Sequence, residues 1–242
     1  MTKRLRRVVW GYYHKYFRPG DSVLELGCGS GLDALELAAN GIHVVATDPS
    51  PLMIAELHEK IEATALRPFV TPMHLSLQRL AALHGTTFDG AYANFGALNC
   101  TNKIPQVARD LALLVKPGKH IVLTLFSNFS VWETISLLCR GRWRRAFRRR
   151  HPEGDLAEVR GERVLVHYYS PQRAREMFSP YFEFIEYRGL NVISPPRSST
   201  LVRKLLGSTT RLLDALEDSL PHTSRLHRWG DQFVMVLRRR ER

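Results

Sequence analysis

The chain has 242 residues, of which 44% are hydrophobic and 24% charged, a composition that supports a buried core and excludes wholesale disorder. Three cysteines without CxxC spacing and ten histidines without a paired ligand motif support neither a disulfide framework nor a metal site. With no secretory signal and no apolar run of membrane length, the expected location is cytoplasmic.

Taken in chain order, short apolar strands alternate with helical segments, the pattern of an α/β fold. Strands are expected at Ser22 to Leu26, Ile42 to Thr47, Phe69 to His74, Phe88 to Asn94 and Lys119 to Phe126. Between the first two lies a helix, Gly31 to Ala39, closed by Asn40-Gly41. Ser50 and Pro51 open the next helix as N-cap and first helical residue. A further helix from about Lys103 stops at Lys116-Pro117-Gly118.

The alternation then breaks. Residues 127 to 163 read as an insertion with an amphipathic stretch, Val131 to Leu138, and an Arg-rich run. Regularity returns with a strand from Arg163 to Tyr169, a helix from Ser170 to about Phe178 and a strand from Phe182 to Arg188. A second insertion, 191 to 230, contains Pro195-Pro196 and an amphipathic helix around Leu201 to Leu220, and Gln232 to Leu237 is the last strand. One domain is expected: a Rossmann-like, doubly wound sheet, mostly parallel with an antiparallel last strand, plus two helical insertions. In such a sheet ligands bind beyond the carboxyl ends of the strands.

The first of those ends reads Glu25-Leu26-Gly27-Cys28-Gly29-Ser30-Gly31, a G-x-G-x-G turn between strand and helix. Glycines suit a sharp turn that a ligand approaches closely. Dinucleotide folds space their glycines as G-x-G-x-x-G; here the third comes one residue early and an acid, Glu25, precedes the turn. A negative side chain is unhelpful to a pyrophosphate and suits a ligand bearing an ammonium and a sulfonium. Asp48 ends the second strand, where a carboxylate can accept from two ribose hydroxyls. The alternative is an ordinary strand-to-helix turn with Asp48 capping the helix.

Val23 to Gly31 and Thr47-Asp48-Pro49-Ser50-Pro51-Leu52-Met53 resemble the first and second motifs of the class I S-adenosylmethionine-dependent methyltransferases. Phe88 to Tyr92 and Leu114 to Lys119 resemble the family's fourth strand and the link to its fifth. The resemblance implies S-adenosylmethionine as cofactor and S-adenosylhomocysteine as product. It implies that Glu25, Gly27, Cys28, Gly29 and Gly31 border the methionine part, that Asp48 and Pro49 lie at the ribose, and that Leu52 or Met53 packs on the adenine. Where the family often has an Asp after the third strand this chain has Ser76 and Leu77, so Ser76 or a backbone carbonyl takes that place. Asn94 and Phe95 would border cofactor and acceptor.

Methyl transfer from a sulfonium is mainly a matter of alignment, and a general base is needed only for a protonated nucleophile. The candidates are His14, His167 and Tyr168, with Asn99 as an orienting amide; packing roles stand beside each. The acceptor is expected to be a small, hydrophobic or bulky molecule, a natural-product or lipid-like intermediate, because Asn94-Phe95-Gly96 lacks the Pro-Pro typical of base methylation. The net charge of +12 is uneven, with +7 in residues 140 to 150 alone. That run, Arg140 to Arg150, is read as part of a lid; contact with an anionic membrane surface, a nucleic-acid acceptor and a non-catalytic scaffold are the alternatives.

Overall fold

The computed structural model describes residues 3–151, 153–159, 162–196, 199–221 and 224–241. The chain opens with helix α1 (Lys3–Tyr16), then β1 (Ser22–Leu26), α2 (Leu32–Ala39), β2 (His43–Asp48), α3 (Pro51–Glu62), β3 (Val70–His74), β4 (Phe88–Ala93), α4 (Ile104–Leu114) and β5 (Val115–Phe126). There follow α5 (Val131–Leu138), α6 (Trp143–Ala146), β6 (Asp155–Val159), β7 (Glu162–Val166), α7 (Pro171–Phe178), β8 (Phe182–Leu190), α8 (Thr200–Leu206), α9 (Thr209–Asp218) and β9 (Gln232–Arg239).

Seven strands form one sheet in the order β3-β2-β1-β4-β5-β9-β8. The first five are parallel, and β9 runs antiparallel between β5 and β8. β1 shows why: four of its five residues are buried with no alternation, the mark of a strand covered on both faces. One core packs α1, α2 and α3 on one face through Val9, Tyr13, Leu37 and Leu57. The other packs α4 and α7 on the opposite face through Val107, Leu111 and Phe178. This is the expected Rossmann-like, doubly wound arrangement. At α3 the Ser50 Oγ accepts from the Met53 amide, with Pro51 opening the helix.

Four details depart from the sequence reading. β5 begins at Val115, directly after α4, because its register against β4 jumps from Phe88↔Val115 to Gly90↔His120 and so absorbs Lys116-Pro117-Gly118 as an irregularity within the strand. The strand expected at Arg163 to Tyr169 ends at Val166 and pairs with β6 in a separate two-stranded sheet. The free edge of β5 is taken by β9, so among the described residues a single bridge, Ser127 to Tyr169, reaches toward the main sheet. The first insertion therefore contains a hairpin as well as helices. The amphipathic helix expected at Leu201 to Leu220 is broken into α8 and α9 at Gly207, whose φ of 51° and ψ of −126° lie outside helical space.

Both intervening segments leave from the same edge. β5 ends at Phe126, which pairs with Gln232 at the start of β9, and Gln232 pairs with Leu190 at the end of β8. Trp132 of α5 donates from Nε1 to the Val192 carbonyl at 3.1 Å, tying one segment to the other.

Candidate active site

The turn after β1 and the end of β2 are fastened together. The Cys28 amide donates to the Thr47 carbonyl at 2.8 Å, and Thr47 Oγ1 donates to the Glu25 carbonyl at 2.7 Å. The Gly29 amide donates to Asp48 Oδ2 at 2.8 Å, and the Ser50 amide donates to Asp48 Oδ1 at 2.9 Å. Each carboxylate oxygen thus takes one backbone proton and keeps a lone pair for another donor. From β3, the Leu75 amide reaches the Asp48 carbonyl at 3.1 Å and His74 Nε2 lies 2.9 Å from the Pro49 carbonyl.

The glycines differ in what surrounds them. A Cβ on Gly31 would lie 2.2 Å from Leu57 Cδ1, whereas a Cβ on Gly29 would meet nothing within 4 Å. Both have positive φ, +76° and +51°. Gly31 lets α2 pack against α3, while Gly29 borders open space at the edge where ligands bind in this fold.

Three acids converge here. Glu25 is 1% exposed and its Oε2 has no partner. Burial pushes its carboxyl well above the usual range, Asp33 adds to the rise, and the Tyr92 hydroxyl works against it. The Tyr13 and Tyr92 rings lie close by, tilted at 47° with centroids 4.6 Å apart. Asp33, also buried, accepts from Arg6 and from Trp10 Nε1 at 2.7 Å through Oδ1, and from Asn94 Nδ2 at 2.6 Å through Oδ2. Asn94 Oδ1 is buried without a partner. Phe95 follows at φ 46° with the Arg6 guanidinium 5.1 Å from its ring centroid.

Sequence reasoning did not single out Asp33, Arg6 or Trp10. A signal was present: an acid in the first turn after the glycines, and an Arg and an aromatic four residues apart on one helical face. Cys28 is buried and its thiol is raised by desolvation. Met53 is buried while its neighbour Leu52 is 71% exposed; Ser76 and Leu77 lie half-buried beyond β3.

The four candidates for chemistry are not gathered at one point. His14 Nε2 lies 3.2 Å from Glu36 Oε1, in the contact between α1 and α2. Asn99 is fully buried, donating from Nδ2 to the His167 carbonyl at 2.5 Å and to the Phe126 carbonyl at 3.3 Å. Its Oδ1 accepts from the Phe126 amide at 2.9 Å, and its carbonyl accepts from the His167 amide at 2.7 Å. The Tyr168 ring faces the guanidinium groups of Arg149 at 5.0 Å and Arg148 at 5.9 Å, and burial raises its phenol.

The Arg-rich run is divided rather than uniformly exposed. Arg149 donates from Nε to Glu133 Oε2 at 2.8 Å, from Nη2 to Asp231 Oδ1 at 2.6 Å, and from Nη1 to the Asp231 carbonyl at 2.9 Å. Arg148 donates to Glu133 Oε1 at 2.7 Å and also to Asp155. Arg149 pins the first segment to the approach to β9, and Arg148 ties α5 to β6 within that segment. Arg142, Arg144 and Arg145 are exposed. Among the described residues no helix is long and apolar enough to cross a membrane.

Residues 23–118 match the family model described as a methyltransferase domain. Two curated relatives are a demethylmenaquinone methyltransferase of Symbiobacterium thermophilum, 27% identical over 123 residues, and a ubiquinone biosynthesis O-methyltransferase of Pectobacterium atrosepticum, 31% identical over 119 residues. Each alignment covers 47% of this chain, and the chain spans 48% and 46% of the two relatives, about half their length. An S-adenosylmethionine-dependent methyltransferase structure from Methanosarcina mazei superposes with a TM-score of 0.63 at 19% identity, covering 96% of this chain and 98% of that one. The [4+2]-cyclase SpnF superposes with a TM-score of 0.61 at 15% identity, covering 97% and 81%. Residues 23–118 are thus similar to methyltransferase domains, and the chain shares the fold of S-adenosylmethionine-dependent methyltransferases.

Proposed function

We propose that the protein transfers the methyl group of S-adenosylmethionine to a small, apolar acceptor. The observation that carries this reading is the Asp48 carboxylate, held by the Gly29 and Ser50 amides with a lone pair left on each oxygen beside the glycine-rich turn. Open space at Gly29 and the unpartnered Glu25 Oε2 and Asn94 Oδ1 fit a polar cofactor with donor groups of its own.

In this reading Asp48 and Pro49 border the ribose; Gly27, Cys28, Gly29 and Gly31 border the methionine part; and Glu25 offers its oxygen to the cationic end. Leu52 and Met53 supply an apolar face for the adenine, with Ser76 and Leu77 at its rim. Asn94 and Phe95 stand between cofactor and acceptor. The bound cofactor supplies a methyl group already activated on a sulfonium, so the chain's task is orientation and exclusion of water. Asn99 acts as a positioning residue, fixing the loop after β4 to the end of β5. A base is required only for an acceptor that arrives protonated, and His167 and Tyr168, next to that junction, are better placed for this than His14 in the α1–α2 contact.

The segments 127–163 and 191–230 belong with the sheet as one domain and cover the acceptor. Their shared origin at one sheet edge and the Trp132 bond between them support this. The quinone-pathway names of the relatives support an apolar ring acceptor. The same reading sets residues 140 to 150 against an anionic membrane surface from which such an acceptor would be drawn.

The test is a thermal shift with S-adenosylhomocysteine together with transfer of a labelled methyl group to apolar acceptors. Ligand at a hundred times its Kd should stabilise the wild type by about 2.7 kcal/mol. Asp48→Ala should lose most of that shift, since each hydrogen bond to a charged group contributes roughly 1.5–3 kcal/mol. No shift in the wild type, or an equal one in the variant, would sink the reading.

A further inference from the structure

A cavity of about 340 Å³ opens between α5, the Arg-rich run and β6. Its polar lining includes Ser136, Ser199, Arg140, Arg145 and Arg148. The acids that line it, Glu133 and Asp155, are already engaged by Arg148, and Glu133 by Arg149 as well. Arg145 is exposed and forms no ion pair with an acid among the described residues. Arg145 beside the Ser136 and Ser199 hydroxyls, over acids already neutralised by Arg148 and Arg149, favours an oxyanion that can accept several donors at once.

The lining also has an apolar part. Leu156 of β6 is 63% exposed and lines the cavity with Leu137. Its cross-strand partner Leu165 is 44% exposed, and nearby in the chain Trp143 and Phe147 are 67% and 43% exposed. Large apolar side chains left in water and interleaved with arginines suit the boundary of an anionic bilayer.

We propose that this cavity binds the phosphate of an anionic amphiphile, the headgroup of a phospholipid, with Leu156 and Leu165 against the acyl boundary. The assignment rests on the membrane-contact reading of residues 140 to 150 and is independent of the methyl donor. It differs from diffuse attraction in naming a phosphate pocket, so Arg145 should matter more than Arg142 or Arg144, which lie outside the lining.

The experiment is co-sedimentation of the full chain with vesicles of phosphatidylcholine alone or mixed with phosphatidylglycerol, alongside thermal shifts in inorganic phosphate. The wild type should bind the mixed vesicles and not the neutral ones. Neutralising one arginine near such a surface costs about fivefold in binding; Arg145→Ala should cost at least about tenfold, while Arg142→Ala and Arg144→Ala stay within about fivefold. Leu156→Asp should lose vesicle binding and retain stabilisation by phosphate. Phosphate stabilisation removed by Arg145→Ala without vesicle binding would support the same pocket with a soluble phosphate as its source. Equal losses in all three arginine variants would overturn the pocket and leave the membrane contact standing; neither vesicle binding nor phosphate stabilisation would overturn both. Asp48→Ala should bind vesicles as the wild type does, which separates this result from failure of the cofactor reading.

Discussion

Asp33 accepts a hydrogen bond from Asn94 at 2.6 Å, joining the first turn of α2 to the end of β4 across the carboxyl edge of the sheet. The same carboxylate holds Arg6 and Trp10 of α1. A single buried acid therefore fixes three elements around the glycine-rich turn. Asp33→Ala should leave the half-buried Arg6 without its ion-pair partner and the buried Asn94 amide without its acceptor, and cost about 3 kcal/mol. Denaturant unfolding measures this, and weaker binding of S-adenosylhomocysteine should accompany it, because α1 and Asn94 lose their common anchor. An unchanged midpoint would show that α1 is held by its apolar face alone.

Gly29 and Gly31 should separate stability from ligand binding. Both need left-handed backbone, which costs an L-residue about 1–2 kcal/mol. Gly31→Ala adds a clash, since its Cβ would lie 2.2 Å from Leu57 Cδ1, so its loss of stability should be the larger by at least about 1 kcal/mol. Gly29→Ala meets no protein atom within 4 Å, and its methyl group would instead project into the space assigned to the cofactor. Its main effect should appear as a rise in the Kd for S-adenosylhomocysteine, measured by calorimetry.

Glu25 carries a pH dependence whose sign follows from its raised carboxyl. The folded protein holds a proton there that the unfolded chain has released, so stability falls as pH rises above the usual carboxylate range toward the raised value, and levels off beyond it. Glu25→Gln removes the titration. In the ligand-free protein its Tm should exceed that of the wild type near neutral pH, and the difference should shrink on acidification.

Glu133 behaves in the opposite way. Burial raises its carboxyl, but Arg149 and Arg148 outweigh that and hold it below the usual range. Its contribution is present above the usual carboxylate range and lost as pH falls through the lowered value. Glu133→Gln should flatten that part of the acid limb. Arg149→Ala, which leaves the buried Asp231 without its ion-pair partner while Glu133 keeps Arg148, should cost about 3 kcal/mol in denaturant unfolding.

The sheet from Ser22 to Phe126 was legible because each element there has a local cause: an unbroken apolar run for a strand covered on both faces, Ser50-Pro51 for a helix start, glycines for the first turn. The fate of Arg163 to Tyr169 was not, because its local pattern is that of a strand wherever it pairs. Its partner was decided by β9, which arrives more than sixty residues later and occupies the edge of β5. The glycine-rich turn and Asp48 were read from spacing, whereas the Asp33 cluster depends on α1 lying across α2, a tertiary contact that no spacing encodes. Seven arginines in eleven residues looked alike in sequence. Only packing distinguished Arg148 and Arg149, turned inward to Glu133, from those left in water.

The place of β9 in the strand order has a consequence for synthesis. β8 has no neighbour in the main sheet other than β9, and β5 presents an unpaired edge until β9 is inserted beside it. As the chain leaves the ribosome, five parallel strands and their helices can assemble first. For the time needed to make residues 127 to 231, that assembly exposes an apolar strand edge of the kind that pairs with other chains. Newly made protein is thus most in need of a chaperone late in its synthesis, and cutting before Gln232 would remove an interior strand rather than trim a border.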